Sequence, residues 1–248
     1  MKVKNYLMER IAQGTLHMAL LDPDKLNPAD AAKIALQSKK AGSDAIMVGG
    51  STGITEKNLD ATAKAIKEAT GLPVILFPGG PHTLSKEFDA IYFMSMVNSR
   101  KLELVIGAQV MTSLKIRSMG VEPISMGYII VEPGMKVGEV GDAAAIPRDD
   151  LALAQSYALA CEYLGMNFVY LEAGSGADRP VPKSMVRAVK EVLSVPLIVG
   201  GGIRTAEAAE GIREAGADII VTGTLMEQTT DGSVLSAVIK AAKGKTQS

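Results

Sequence analysis

The sequence predicts an α/β protein, a modified (β/α)₈ TIM barrel formed as a single domain over residues 1–248. Eight short apolar runs follow one another along the chain, and helical patterns separate most of them. Each run is too short for a helix and too continuously apolar for a half-exposed strand, which is typical of parallel strands buried on both faces. The length of 248 residues also matches the ~250 residues of such barrels. An open doubly wound sheet is the alternative, but its glycine-rich turn usually follows the first strand, whereas here it follows the seventh.

The eight apolar runs define the predicted strands. They lie at residues 15–22, 44–50, 73–77, 89–95, 126–132, 167–174, 196–201 and 218–223. Four segments between them carry apolar residues at three- and four-residue spacing, which predicts amphipathic helices. These are residues 28–42, 56–71, 182–194 and 206–218. The first residues, MKVKNYLMERIAQG, predict a further amphipathic helix before the first strand.

Two segments depart from the regular alternation. PGGPHTLSKEF, residues 78–88, has little helical pattern and is too short for a full helix, so we expect the third helix to be replaced by a loop or short turn. Residues 133–150 are rich in glycine and polar side chains. They predict a long loop at the C-terminal end of the barrel, the end at which such barrels place their active sites.

Composition excludes several functional classes. A net charge of −1 gives no electrostatic case for nucleic acid, and no apolar run reaches the ~18 residues that a membrane helix needs. The N-terminal segment lacks the apolar core of a secretory signal. A single cysteine, Cys161, excludes an intrachain disulfide and favours a reducing, cytoplasmic compartment. With only two histidines, a bound metal is expected on oxygen ligands, which favours Mg²⁺.

Glycines at the ends of the seventh and eighth strands predict a phosphate site. Gly200, Gly201 and Gly202 end one strand, and Thr222-Gly223-Thr224 ends the next. In (β/α)₈ barrels these loops often bind phosphate through backbone N–H groups. Glycine leaves room for the phosphate and tolerates positive φ. The alternative is that the glycines only allow tight turns.

Polar side chains end three other strands. Asp22 directly terminates the first strand and could hold Mg²⁺, whereas Asp24 could equally cap the next helix. Ser51 follows the second strand and could ligate a metal or phosphate oxygen, or act as a cap. Tyr170 and Glu172 alternate at the end of the sixth strand and therefore point to the same side. Glu172 is thus the candidate general base.

The motifs LLDPDK, VGGSTG, LFPGG, SMVNSR, YIIVEPG, YLEAGSG, VGGGIRT and VTGT occur in this order over nearly the whole chain. In this combination they resemble the geranylgeranylglyceryl phosphate synthase family, whose bacterial relatives are heptaprenylglyceryl phosphate synthases. Leu20 stands where many bacterial members carry lysine, so the chain is more similar to the archaeal branch. The family has a modified barrel without the third helix.

The resemblance implies a prenyl transfer. An allylic prenyl diphosphate, geranylgeranyl diphosphate in particular, would alkylate the C3 hydroxyl of sn-glycerol 1-phosphate and release pyrophosphate for ether-lipid synthesis. The resemblance implies Asp22 and Ser51 as Mg²⁺ ligands and Glu172 and Tyr170 as catalytic residues. The implied glycerol phosphate site comprises Tyr170, Leu171, Glu172, Ala173, Gly174, Ser175, Gly176, Gly201, Gly202, Gly223 and Thr224. It also implies a homo-oligomer, dimer or hexamer, and is compatible with transient contact at a membrane surface.

Two other functional classes stay open at this point. One is a phosphosugar isomerase or lyase barrel, which needs an acid–base pair and no Mg²⁺. The other is a barrel that binds a phosphorylated ligand without catalysis. Mg²⁺ dependence separates the prenyltransferase from both.

Overall fold

A computed structural model describes residues 2–49, 55–223 and 232–244 of the chain. Eight parallel strands pair in sequence order into a closed barrel, which confirms the predicted fold. The strands are β1 (Leu16–Leu21), β2 (Ala45–Val48), β3 (Val74–Leu76), β4 (Ala90–Met96), β5 (Glu122–Ile130), β6 (Phe168–Glu172), β7 (Leu197–Gly200) and β8 (Ile219–Thr222). The described helices are α1 (Val3–Ile11), α2 (Pro28–Ala41), α3 (Glu56–Thr70), α4 (Ala108–Met119), α5 (Met135–Val140), α6 (Leu151–Tyr163), α7 (Lys183–Val192), α8 (Ala206–Glu214) and α9 (Gly232–Lys243).

Alternate residues of each strand serve two separate cores. Met18, Met126 and Phe168 belong to a cluster inside the barrel, whereas Ala19 and Leu171 belong to a cluster between the barrel and its helices. Because both strand faces are buried, the strands read as continuous apolar runs in the sequence.

The N-terminal helix α1 covers the N-terminal end of the barrel. Val3 and Leu7 are buried in the interior cluster, and the carboxylate of Glu122 accepts a 2.6 Å hydrogen bond from the Val3 N–H group. β5 begins at Glu122, four residues before the predicted start at residue 126, and its first residues pair with β4. Residues 122–125 form no continuous apolar run, so the sequence does not predict them as part of the strand.

The helix that would join β3 to β4 in a regular barrel is missing, as predicted. Residues 77–89 between β3 and β4 are all described and contain no helix. The predicted long loop after β5 is only partly a loop, since it contains α5 and is tied to β5 by a bridge between Val131 and Ile146. A π-helical turn, Glu103–Gly107, leads directly into α4.

Helix lengths give no indication of a membrane-spanning segment: among the described residues, no helix combines the length and apolarity needed to cross a bilayer.

Candidate active site

Two adjoining cavities open at the C-terminal ends of the strands. The larger, of about 480 Å³, runs from Asp22 and Glu172 to helix α4 and is named here the channel. The smaller, of about 40 Å³, lies among the ends of β6, β7 and β8 and is named the pocket. Glu172 and Ser175 line both cavities, so the two meet at the end of β6.

Glu172 is the buried carboxylate at this junction. Its side chain accepts a 2.6 Å hydrogen bond from the Gly174 N–H group, and the hydroxyls of Tyr170 and Tyr128 also favour its charged form. Burial nevertheless raises the pKa of Glu172, because removal from water disfavours the charged form more than these donors favour it. A carboxylate with a raised pKa is a stronger proton acceptor, as a general base requires.

Two tyrosines fix the position of this carboxylate. Tyr128 and Tyr170 are paired across β5 and β6, and their rings meet edge to face with centroids 5.1 Å apart. Burial raises the pKa of both hydroxyls well above the ordinary value, and the negative charge of Glu172 raises it further. Both phenols therefore stay protonated beside Glu172.

Tyr128 was not recognised from the sequence as a site residue. It lies within the predicted fifth strand. The alternation of side chains along that strand places Tyr128 on the interior side of β5, beside Tyr170 of β6. Phe77, at the end of β3, packs against both tyrosine rings and lines the channel.

The glycine run after β7 makes room for these groups. A Cβ on Gly200 would collide with the Tyr170 hydroxyl, and one on Gly201 would collide with the Glu172 carboxylate. Gly201 and Gly202 also have positive φ angles, of 82° and 70°, which residues with a Cβ atom rarely adopt. The glycines therefore serve tight turns and an open pocket together, so the two explanations offered by the sequence do not exclude each other.

The other residues predicted to bind glycerol phosphate differ in which part of the residue faces the pocket. Ser175, Gly201, Gly202 and Gly223 line the pocket, as do Tyr170 and Glu172. Leu171 and Ala173 direct their side chains into the outer core, so only their backbone faces the β6 end. Gly174 and Gly176 adopt positive φ in the loop after β6. Thr224 lies outside the described residues.

Asp22 lines the channel at the end of β1. Its carboxylate accepts a 3.0 Å hydrogen bond from the Asp24 N–H group and lies 3.6 Å from the Lys25 ammonium group. Ser51, the other predicted metal ligand, lies outside the described residues. The described part of the chain has no group of three or more His, Cys, Asp or Glu that could hold a metal. Mg²⁺ is usually held by one or two carboxylates together with substrate phosphates, so a single carboxylate at this position fits that ion.

The channel extends into the space beside the missing third helix. Ile91, Phe93 and Met94 of β4 line it, as expected of a groove for an apolar chain. Its far wall comes from Leu104, Ala108, Thr112 and Ile116, on the π-helical turn and α4.

Comparison with known proteins identifies the family. The model of the PcrB family matches residues 7–242. The chain belongs to the PcrB family. It is 53% identical to a geranylgeranylglyceryl phosphate synthase of Thermococcus kodakarensis over 95% of this chain and 93% of that protein. Identity to the Pyrococcus abyssi protein of the same name is 55%, covering 92% of this chain and 91% of the relative. These relatives of the PcrB family confirm the resemblance found in the motifs.

Solved structures of the same family share its fold closely. The crystal structure of (S)-3-O-geranylgeranylglyceryl phosphate synthase from Thermoplasma acidophilum, in complex with the substrate sn-glycerol-1-phosphate, superposes with a TM-score of 0.95 at 46% identity. The match covers 98% of this chain and 99% of that one. Thiamine phosphate pyrophosphorylase from Pyrococcus furiosus, at 13% identity and a TM-score of 0.61, shares the barrel fold alone.

Proposed function

We propose that this PcrB-family protein is a prenyltransferase that joins the C3 hydroxyl of sn-glycerol 1-phosphate to an allylic prenyl diphosphate, with geranylgeranyl diphosphate as the expected donor. One observation carries the proposal: the buried carboxylate of Glu172 stands where a small glycine-walled pocket meets a long apolar channel. A polar acceptor and an apolar donor can therefore reach the same base from opposite sides. The names of its relatives describe this activity.

The pocket suits the acceptor. The turn around Gly201 and Gly202 and the following α8 present backbone N–H groups, which favour an anion at a helix N-terminus. Ser175 adds a hydroxyl from the loop after β6. Both the phosphate and the glycerol hydroxyls would find partners here, within reach of Glu172.

The channel suits the donor. Its walls are mainly apolar side chains from β4, the loop after β3 and α4. An apolar chain bound there displaces water, which would otherwise hydrolyse the activated diphosphate. Helix α4 closes one side of the channel and limits how deeply the prenyl chain of the donor can enter.

The chemical step uses Glu172 as the general base. The C3 oxygen of glycerol phosphate forms a bond to C1 of the donor, and the C1–oxygen bond to pyrophosphate breaks with its electron pair leaving on pyrophosphate. The proton of the C3 hydroxyl passes to Glu172, whose raised pKa strengthens it as an acceptor. Tyr128 and Tyr170 hold the carboxylate in place during this transfer.

The proposed reaction includes Mg²⁺, which would balance the negative charge of the diphosphate leaving group. Asp22 would be one ligand, because it lines the same channel as Glu172. Ser51 is the proposed second ligand.

The cellular setting follows from the same reasoning. Cys161 is a free, buried thiol, consistent with a reducing cytoplasmic compartment. A homo-oligomer is part of the proposal; Tyr163 is 79% exposed at the end of α6 and offers an apolar contact, whereas Ala158 is fully buried and belongs to the core.

Product formation tests the proposal. The protein would be incubated with sn-glycerol 1-phosphate, Mg²⁺ and a series of prenyl diphosphates, and ether product and pyrophosphate would be measured. We expect ether only when metal is present, with a preference for one chain length. Binding of glycerol phosphate without ether from any donor would overturn the prenyltransferase and leave a phospholigand-binding barrel. Turnover of a phosphosugar without metal would favour an isomerase or lyase.

A further inference from the structure

Arg204 is a cation placed at the pocket but given no role by the sequence. It lies two residues after Gly202 and directly before Thr205, whose hydroxyl caps helix α8. It is half-buried and lines the pocket together with Gly201 and Gly202.

The guanidinium group of Arg204 joins the two loops that form the pocket. Its Nη2 donates a 2.6 Å hydrogen bond to the carbonyl oxygen of Gly176, in the loop after β6. Gly176 has a φ of 83°, so its carbonyl is held in a direction set by a left-handed turn. Arg204 therefore fixes the spacing between the Gly174–Gly176 loop and the glycine run after β7.

The remaining capacity of this guanidinium group is unused. The Nε–H group is buried and finds no hydrogen-bond partner within the described ranges. In the same ranges, no ion pair joins Arg204 to a carboxylate. Arginine with restricted exposure is normally paired with an anion, so this charge is available for a ligand.

The charges around the pocket indicate which ligand. Of the described residues that line it, Arg204 is the sole Lys or Arg, and Glu172 is the sole Asp or Glu. A phosphate monoester carries up to two negative charges at neutral pH and would be repelled by an ionised Glu172. Backbone N–H groups supply only partial charges, whereas Arg204 supplies a full one.

We propose that Arg204 is the cation that binds the phosphate group of the acceptor, and that its hydrogen bond to Gly176 positions the loop that contacts the rest of that molecule. This inference rests on the proposed function, because it names the residue that selects the phosphorylated acceptor over free glycerol. Arg204 contributes nothing to donor binding, since it lines the pocket and not the channel.

The test compares R204Q and R204K with the wild type by calorimetric binding of sn-glycerol 1-phosphate and of inorganic phosphate, alongside the steady-state KM for each substrate. Loss of a charge-assisted contact predicts a Kd for both phosphates raised roughly tenfold to hundredfold in R204Q. R204K keeps the charge and loses the planar donor geometry, so its Kd should lie between those of the wild type and R204Q. KM for the prenyl diphosphate should not change.

Arg148 supplies the matched control. It is also half-buried, and its guanidinium donates a 2.7 Å hydrogen bond to the Pro180 carbonyl oxygen, but it lines neither cavity. R148Q should therefore change thermal stability without changing phosphate binding.

The outcomes separate this inference from the proposed function. A wild-type protein that fails to bind glycerol phosphate overturns the acceptor site itself. Wild-type binding with an unchanged Kd in R204Q overturns the role of Arg204 alone. If R204Q does not fold, R204K decides: weaker binding confined to the two phosphates supports the inference, whereas an equal loss for donor and acceptor contradicts it.

Discussion

The pocket and the channel meet at Glu172 but are built in opposite ways. The pocket combines three glycines, Gly201, Gly202 and Gly223, with polar and charged side chains such as those of Glu172 and Arg204. The channel is walled by apolar side chains from β4, the loop after β3 and α4. The pocket is therefore small, polar and rich in glycine, whereas the channel is shaped by how apolar side chains from distant elements pack.

This difference predicts how mutations will separate. Changes in the pocket should affect the acceptor and the chemical step, because its walls contact Tyr170 and Glu172 directly. Changes in the channel should affect the donor alone. The junction, where both cavities share Glu172, is the one position at which a change should stop turnover without preventing either substrate from binding.

The largest effect is expected for E172Q, because it removes the base that both cavities share. We expect kcat to fall by roughly 10²- to 10⁴-fold, with both substrates still bound. In the wild type, kcat should rise with pH as Glu172 loses its proton, with a midpoint above the ordinary 4.5 of a glutamate. Steady-state kinetics from acid to neutral pH would show both effects.

Glu132 provides the control for that substitution. It follows the adjacent strand β5, is exposed and lines neither cavity. E132Q should retain wild-type kcat. An E172Q enzyme with kcat within a few-fold of the wild type would rule out the carboxylate as the base.

A smaller effect is expected for G201A, which tests the glycine-built wall. The new Cβ would collide with the Glu172 carboxylate, and the backbone would keep a φ of 82° that alanine disfavours. Displacing a catalytic group by about 1 Å can lower the rate roughly 100-fold. We expect a loss of that order in kcat/KM for glycerol phosphate.

Backbone strain alone is measured by G71A. Gly71 caps α3 with a φ of 63°, and a Cβ there would meet nothing within 4 Å. G71A should lose about 1 kcal/mol of stability and retain activity. Equal losses of activity in the two variants would mean that strain, and not contact with Glu172, limits the pocket.

The two cavities also differ in what the sequence could predict. Tyr170, Glu172 and the glycines are close in sequence to strand ends, so strand period and barrel topology were enough to bring them together. Tyr128 was missed because its role depends on the register between β5 and β6, which no local pattern carries. The far wall of the channel depends on how α4 packs beside the missing third helix, and no local motif encodes that arrangement.

A108F tests the channel, with a moderate effect on the donor. Ala108 lines the channel from α4, and a phenylalanine there would fill the path of the prenyl chain. Overpacking costs of about 1–3 kcal/mol predict KM for a long donor raised roughly tenfold, with preference moving to shorter donors. Acceptor binding should stay unchanged. Kinetics with donors of several lengths would measure this.

The control lies on the opposite face of the same helix. Val110 is 68% exposed and lines neither cavity, so V110F adds the same ring without obstructing the channel. Equal effects of A108F and V110F on donor length would show that α4 does not limit the channel.

The smallest effect on turnover, and a distinct effect on stability, is expected at His17 behind the pocket. Its ring nitrogens lie 2.7 Å from the Ser43 hydroxyl and 2.9 Å from the Thr222 hydroxyl, so it supports β8 from the outer core. The pKa of His17 is lowered to about 3, mainly by burial; the charge of Asp44 partly opposes this effect and that of Lys243 adds to it. The unfolded chain, with an ordinary value of 6.5, therefore binds the proton more readily than the folded one.

The contribution of neutral His17 to the free energy of unfolding should consequently be complete above pH 6.5 and decline as the pH falls from 6.5 toward 3. The decline is at most about 1.4 kcal/mol per pH unit for a single proton. Urea unfolding of the wild type and H17Q across this range isolates the contribution, because every other titrating group is common to both proteins. H17Q should be less stable at pH 7 and lose less stability on acidification, with little change in kcat for the folded enzyme. Parallel stability curves would show that His17 is not the group whose protonation weakens the outer support of the pocket.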